Sequence, residues 1–468
     1  AMSGNLFSLL ASGFPADRNR PAFRQPGAAD VSYGDLETLA ARTAAALRAA
    51  RVQPGDRVAL QVEKSIEAVV IYLATLRIGA VFLPLNAAYT PSEVQYFLDD
   101  AKPAIFIQDA QGFVAGARDL APDPRIEPRT PGDLAAIIYT SGTTGRSKGA
   151  MLTHGALAAN ALALHEAWGF SPDDVLLHAL PIFHVHGLFV ALHCAFLSGC
   201  PMVWLNRFDE TAVLEGLSRS TVMMGVPTFY SRLLANPGLT RETVSHMRLF
   251  ISGSAPLLES AFDAFETRTG HRILERYGMS EAVIITTNPL DGERIAGSVG
   301  FALPGVDVRI GGGEATGVIE IRGPSVFTGY WRMPERTREE FTADGYFITG
   351  DVGRMDPDGR LWISGRAKDL IISGGYNVYP KEIELILDEQ PGVRESAVIG
   401  VPHPDFGEGV VAVVEGQGEE TELIARLRGQ LAGYKTPKRI VFVDALPRNA
   451  MGKIQKALLR QAYGDLFA

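Results

Sequence analysis

Before Val306 the chain alternates apolar runs of strand length with helical patterns, and this alternation restricts its fold more than any other feature. DRVALQV is followed by SIEAVVIYLATLRIG, then AVFLPL, PSEVQYFLDDA and AIFIQD. Strand, helix and strand repeated in this way predict parallel sheets covered by helices. From Val306 the pattern shortens to VDVRI, GVIEIRG, GYFITGD and GRLWISG, alternating segments cut by Gly and Asp that predict a small β-rich subdomain. A second break falls at GRAKD, residues 365–369, and the chain beyond it carries strands and helices of its own. The expectation is an α/β protein in two domains. Residues 1–365 form a large N-terminal domain of helix-covered sheets with the small β subdomain; residues 366–468 form a smaller, mobile α+β domain on a hinge near Lys368.

A hydrophobic content of 46% with 21% charged residues is enough for a large core and excludes a disordered chain. The net charge of −9, with the basic residues scattered, leaves no footprint for nucleic acid or an anionic membrane surface, so the expected partners are small molecules. No apolar run reaches the roughly 18 residues of a membrane span. The N-terminal AMSGNLFSLLASGF lacks the charged and cleavable parts of a signal peptide, which predicts a cytoplasmic location. Cys194 and Cys200 both fall in ALHCAFLSGC and are expected as buried core thiols in a reducing compartment.

The strongest chemical signal is YTSGTTGRSKG, residues 139–149, directly behind the apolar run LAAIIYT. Such a loop offers bare backbone N–H groups and hydroxyls, with the charges of Arg146 and Lys148, and reads as a cradle for a triphosphate. It is not a Walker A loop, because Lys148 is followed by Gly149 and no Ser or Thr is placed there to hold magnesium. The loop lies between a buried strand and a hairpin-like return, after which Thr153 caps a helix over HGALAANALALHEAW.

A second signal is ERYGMSE, residues 275–281, after HRILE. A carboxylate beside a hydroxyl at the end of a buried strand suits Mg2+ on a phosphate, which makes Glu281 the metal candidate and Ser280 its hydroxyl partner. Taken alone, such a Ser-Glu pair also reads as a helix start. His184 and His186 form a His-x-His pair without a third ligand at suitable spacing.

Seven motifs in fixed order, YTSGTTGRSKG, PIFHVHG, ISGSAPL, RYGMSE, ITGD, GRAKDLIISGGYNVYPKEIE and PRNAMGKIQK, give the chain a resemblance to the adenylate-forming enzymes, which include acyl-CoA synthetases, aryl-CoA ligases and luciferases. The resemblance covers nearly the whole chain. It implies activation of a carboxylate by ATP with Mg2+, release of pyrophosphate, and transfer of the acyl group from AMP to the thiol of CoA. By that resemblance Thr140, Ser141, Gly142, Thr143, Thr144, Gly145 and Lys148 close over the β- and γ-phosphates. Ser254, Ala255 and Pro256 lie along the adenine, and Tyr277 stacks on it. Asp351 holds both ribose hydroxyls, with two adjacent acceptors for two donors, and Arg366 adds a second ribose contact. From the residues alone Asp351 also reads as a turn residue before Val352-Gly353. Lys453 bridges the carboxylate and the α-phosphate as charge develops, with His184 in the same catalytic group. Lys368 is the hinge about which Gly374, Gly375 and Tyr376 replace Lys453 when the thiol arrives. The family usually has Thr where this chain has Ser280; the hydroxyl is kept.

The acid is marked by Arg276. Aryl-activating relatives carry a small residue there, whereas an Arg obstructs a long or aromatic acyl chain and can pair with a second carboxylate. At the surface it would simply pair with Glu275. His186 adds a polar group, while Thr228 and Met279 set the room beside the acid's C2. ERYGM, HMRLFISGSAPL and MGVPTFY resemble the malonyl-CoA synthetases, which implies malonate, or methylmalonate, as the acid. The alternatives are a short-chain or aryl monocarboxylate CoA ligase and a non-catalytic nucleotide- or carrier-protein-binding module.

Overall fold

The computed structural model describes residues 3–140, 147–449 and 452–468. The chain divides into two compact units, one of residues 3–140, 147–307 and 321–347, the other of 308–320, 348–449 and 452–468. The family of short β segments after Val306 therefore contributes to both.

The first unit holds the alternation seen in the sequence. In one sheet the strands Leu274–Met279, Leu249–Ser252, Val222–Gly225, Leu176–His178, Met202–Trp204 and Pro21–Arg24 lie side by side in parallel. Val283–Thr287 and Ser298–Ala302 are added antiparallel beyond Leu274–Met279. In the other, Leu134–Thr140, Val81–Leu85, Arg57–Gln61 and Ile105–Ile107 run parallel, and Lys148–Thr153 returns antiparallel on Leu134–Thr140. Leu249–Ser252 and Val222–Gly225 are buried along their whole length, as strands covered on both faces must be. The helix Ile66–Arg77, buried over nearly its whole circumference, is capped by the Ser65 side chain on Ala68 N. Thr153 caps the helix His154–Ala167 by accepting from Ala156 N, as the sequence predicts. The pair Leu134–Thr140 and Lys148–Thr153 thus joins a buried strand to a capped helix.

Asp307–Ile310, Thr316–Arg322, Phe347–Met355 and Leu361–Arg366, whose residues fall mostly in the second unit, form one set of neighbouring strands. The long hairpin Val393–His403/Gly407–Gly416, with Arg439–Val443 parallel to its second arm, forms the other. Val398, Val410, Ala412 and Val414 face one hydrophobic cluster with Ile383, Leu387 and Leu427; Ala397, Ile399, Val401, Val411 and Val413 face a second with Leu446 and Leu459. The two-residue period of a strand thus supplies a core to each side of one hairpin. Cys194 and Cys200 are buried free thiols. No described helix is long and apolar enough to cross a membrane.

Leu387→Ala removes a fully buried side chain from the helix Pro380–Asp388. It is expected to destabilise the second unit by about 2–5 kcal/mol, read as the shift in its chemical denaturation midpoint.

Candidate active site

In the first unit the site is built on the strand Leu274–Met279, which runs on through the Arg-Tyr-Gly motif and then turns back into Val283–Thr287. The Ser280-Glu281 pair therefore starts no helix; it occupies the tip of a β-hairpin, closed by Ala282 N on Met279 O. Gly278 is required here, since a Cβ would lie 2.0 Å from Val283 O. The tip buries Glu281, whose Oε2 accepts the Tyr330 hydroxyl at 2.8 Å and whose main-chain oxygen accepts Phe327 N at 2.7 Å. Burial and the Glu281 charge push the Tyr330 phenol far above its ordinary pKa, so it remains a donor.

Tyr330 also meets the phosphate-loop strand. Gly329–Tyr330 pairs with Lys148–Thr153, and the Lys148 ammonium stands 4.5 Å over the Tyr330 ring. Lys148 is 3.5 Å from Glu340, which Arg336 also holds at 3.0 Å. One phenol thus connects the predicted phosphate-binding cation with the predicted metal carboxylate. Thr140 closes the far side of the hairpin, its hydroxyl donating to Lys148 O at 3.3 Å. Ser141, Gly142, Thr143, Thr144 and Gly145 lie outside the described residues.

Among the described residues no three His, Cys, Asp or Glu side chains cluster as a metal cage. A single buried carboxylate, oriented by a hydroxyl donor, instead suits Mg2+, which is held by one or two protein carboxylates together with phosphate oxygens and water. The donor chemistry at Glu281 fits that ion, with Ser280 beside it. His184 and His186 do not form such a site.

Arg276 lies on the same strand and is buried. It does not pair with Glu275, because neighbours on a strand point to opposite faces; Glu275 is buried as well and accepts Gly297 N at 2.9 Å. The guanidinium packs against the bare Cα of Gly253, where a Cβ would lie 2.2 Å from its Cζ. Its Nε and Nη2 are buried without a hydrogen-bond partner. Burial pulls its pKa down, and the neighbouring Tyr230 pulls the other way. His186, buried at the start of the π-helical turn His186–Ala191, has Nδ1 3.3 Å from Ser254 Oγ and an unpartnered Nε2. Loss of hydration, then the charges of Arg276 and His184, keep its ring neutral. A buried cation with unused donors beside a neutral imidazole has the chemistry to receive an anion.

Ser254, with a left-handed φ of 72°, Ala255 and Pro256 extend from the strand Leu249–Ser252 as an exposed segment. Tyr277, Met279 and Ser280 are half-buried, and Thr228 is exposed at the head of the helix Pro227–Ala235.

The second unit carries the other predicted residues. Asp351 is buried in the strand Phe347–Met355, not in a turn, and pairs in register with Arg366, whose Nη1 is 2.7 Å from its Oδ1. Lys368 lies in the short turn Ala367–Asp369; loss of hydration, then the Arg366 and Lys453 charges, lower its pKa to about 8. Lys453 comes after a turn organised by Asn449, which accepts Lys453 N on its side chain at 3.0 Å and donates its own N–H to Lys453 O at 2.9 Å. Gly374 and Gly375 make the two-residue turn between Ile371–Ser373 and Tyr376–Val378, and both have positive φ, 58° and 82°. A tight hairpin turn of this kind demands it. Tyr376 is exposed and stacks on Tyr434 at 4.7 Å.

Tyr330, Glu340 and Gly253 are functional neighbours that sequence reasoning does not find. Only Gly253 leaves a signal, as the small residue in ISGSAPL against which a large side chain can pack.

Residues 14–331 match the AMP-binding enzyme family, and residues 382–453 match the AMP-binding enzyme C-terminal domain. A malonate–CoA ligase of Arabidopsis thaliana is 35% identical, with 87% of this chain and 78% of that protein covered. A feruloyl-CoA synthase of an Amycolatopsis species is 38% identical over 95% of this chain and 96% of its own length. The crystal structure of ATP-bound MatB from Rhodopseudomonas palustris superposes with a TM-score of 0.94 at 49% identity, covering all of both chains.

Burial raises the Glu275 carboxyl to about 8, from an ordinary 4.5. A group whose pKa is raised by folding contributes stability at low pH and loses it as pH climbs to the folded value. Glu275→Gln, which keeps an acceptor for Gly297 N, is expected to match the parent near pH 4 and to gain on it by up to about 1.4 kcal/mol per pH unit between roughly 5 and 8. Denaturation at three pH values checks this.

Proposed function

Since the chain belongs to the AMP-binding enzymes, we propose that it is an AMP-forming acyl-CoA synthetase that makes malonyl-CoA from malonate, ATP and CoA, with methylmalonate as a second acid. The buried Arg276 guanidinium carries the substrate assignment. Two of its donors have no protein partner, and a carboxylate at the far end of a short diacid would take them as a charge-assisted pair. Ferulate, the acid of the feruloyl-CoA synthase, has no second carboxylate to offer.

In the first step the other carboxylate of malonate attacks the α-phosphorus of ATP, forming malonyl-adenylate and expelling pyrophosphate. Lys453 neutralises the charge that develops between the carboxylate and the α-phosphate, while Lys148 and residues 140–145 hold the β- and γ-phosphates. Glu281 and Ser280 would hold Mg2+, which would supply positive charge against that of the phosphates. Tyr330 fixes the orientation of the Glu281 carboxylate. Ser254, Ala255, Pro256 and Tyr277 lie along the adenine; Asp351 accepts from both ribose hydroxyls and Arg366 steadies it. His186 and His184 line the acid side, with Thr228 and Met279 setting the room at C2. In the second step residues 366–468 rotate about Lys368 so that Gly374, Gly375 and Tyr376 replace Lys453. The CoA sulfur then attacks the acyl carbonyl, and AMP leaves. The partners are small molecules, neither nucleic acid nor membrane, and buried free thiols support a cytoplasmic location.

Pyrophosphate release with ATP and Mg2+, with and without CoA, is measured across acetate, propionate, malonate, methylmalonate, succinate and 4-coumarate. Malonate or methylmalonate is expected to lead, with thioester formed; preference for a monocarboxylate would discard the Arg276 assignment. Lys453→Ala should slow adenylate formation about 10²–10³-fold while leaving thioester formation from added malonyl-adenylate intact. Tyr330→Phe should weaken Mg2+ affinity about 10–100-fold, read from a Mg2+ titration at saturating ATP.

A further inference from the structure

Lys64 is a lysine without an anion. It stands between the strand Arg57–Gln61 and the helix Ile66–Arg77, and none of the described carboxylates lies within ion-pair distance of it. Its ammonium is enclosed, and loss of hydration drives its pKa well down. All three of its protons are used: His178 Nδ1 at 2.8 Å, His178 O at 3.1 Å and Leu205 O at 2.7 Å. The charge also stands 4.2 Å over the Trp204 ring, which in turn packs 4.7 Å from His178.

This arrangement fixes a proton elsewhere. Two carbonyls take two of the Lys64 protons, and because Gly187 O can only accept from Nε2, Nδ1 is left to accept the third; the contacts together hold the ammonium against the loss of hydration and place the ring proton on Nε2. Nε2 is 2.9 Å from Gly187 O, which can only accept. The two contacts demand the same tautomer. Gly187 is already confined, since a Cβ there would lie 1.9 Å from Pro181 O. It is the residue after His186, in the first turn of the π-helical segment His186–Ala191, a distortion often found where a side chain is aimed into a site.

We propose that Lys64 is a positioning residue for the acid pocket, selecting the His178 tautomer that pins the Gly187 carbonyl and thereby holds His186 beside Arg276. This rests on the reading of His186 and Arg276 as the acid pocket. The ammonium is fully taken up by His178 and Leu205. Its effect falls chiefly on how well the acid is received, since the chain Lys64, His178, Gly187, His186 meets the residues assigned to the nucleotide at Ser254 alone among the described contacts.

Lys64→Met keeps the stem and removes the donor. It is expected to raise KM for the acid about 10–100-fold with KM for ATP unchanged, and nitrogen NMR of histidine-labelled protein should show His178 leaving the Nε2–H tautomer. His178→Gln keeps a donor at the Nε2 position and needs no tautomer selection, so the double variant K64M/H178Q should recover the parent acid KM. If K64M does not fold, H178Q and H178N decide: Asn keeps an acceptor for Lys64 but does not reach Gly187 O, so H178N should lose acid affinity and H178Q retain it. The proposal is overturned by an unchanged tautomer in K64M, by acid and ATP KM values rising together, or by H178Q and H178N behaving alike. KM is taken with whichever acid leads the panel, so a monocarboxylate preference would remove the Arg276 assignment and leave the Lys64 test standing.

Discussion

A charge taken out of water costs several kcal/mol unless something answers it, and this protein buries the Arg276 guanidinium with two donors unanswered. Much of the surrounding sequence is intelligible as accommodation of that one group. Gly253 gives it space, the neutral ring of His186 adds no second cation, and Tyr230 eases rather than opposes the charge. The strand that carries it is paired on both edges, parallel to Leu249–Ser252 and antiparallel to Val283–Thr287, which fixes the Cα from which the guanidinium extends. A carboxylate entering the pocket therefore relieves a cost the fold already carries, and a neutral group does not.

The same hairpin serves a second purpose. Its tip presents Glu281 to Tyr330, and Tyr330 lies on the strand edge next to Lys148. The residues assigned to the acid, the metal and the phosphates thereby share two adjoining strand ends in one unit. The residues assigned to ribose, hinge and catalytic lysine lie in the other unit, each ordered by its own contacts: Asp351 by Arg366, and the turn before Lys453 by Asn449.

Much of the fold was legible because local rules decide it. Alternating apolar runs marked the parallel strands, and Thr153 announced its helix through a hydroxyl placed one residue before it. What could not be read were choices settled by distant chain. Ser280-Glu281 carries a helix-start signature, yet the strand before it continues and folds back, because Val283–Thr287 has a partner on each side. Asp351 looks like a turn residue, but Arg366 faces it across a ladder. Tyr330 is 49 positions from Glu281, and Lys64 is 114 from His178, distances at which no spacing rule operates.

The close seat of Arg276 on Gly253 also restricts how such a chain could change its acid over evolutionary time. Enlarging residue 253 first would drive its side chain into the guanidinium, while replacing Arg276 first leaves an apolar hollow beside a bare glycine, which a larger residue 253 could then fill. The two positions are epistatic, and the order of substitution is fixed. A lineage moving toward aromatic acids must pass through an enzyme with a partly empty pocket, and the return journey must reopen residue 253 to glycine before an arginine can fit.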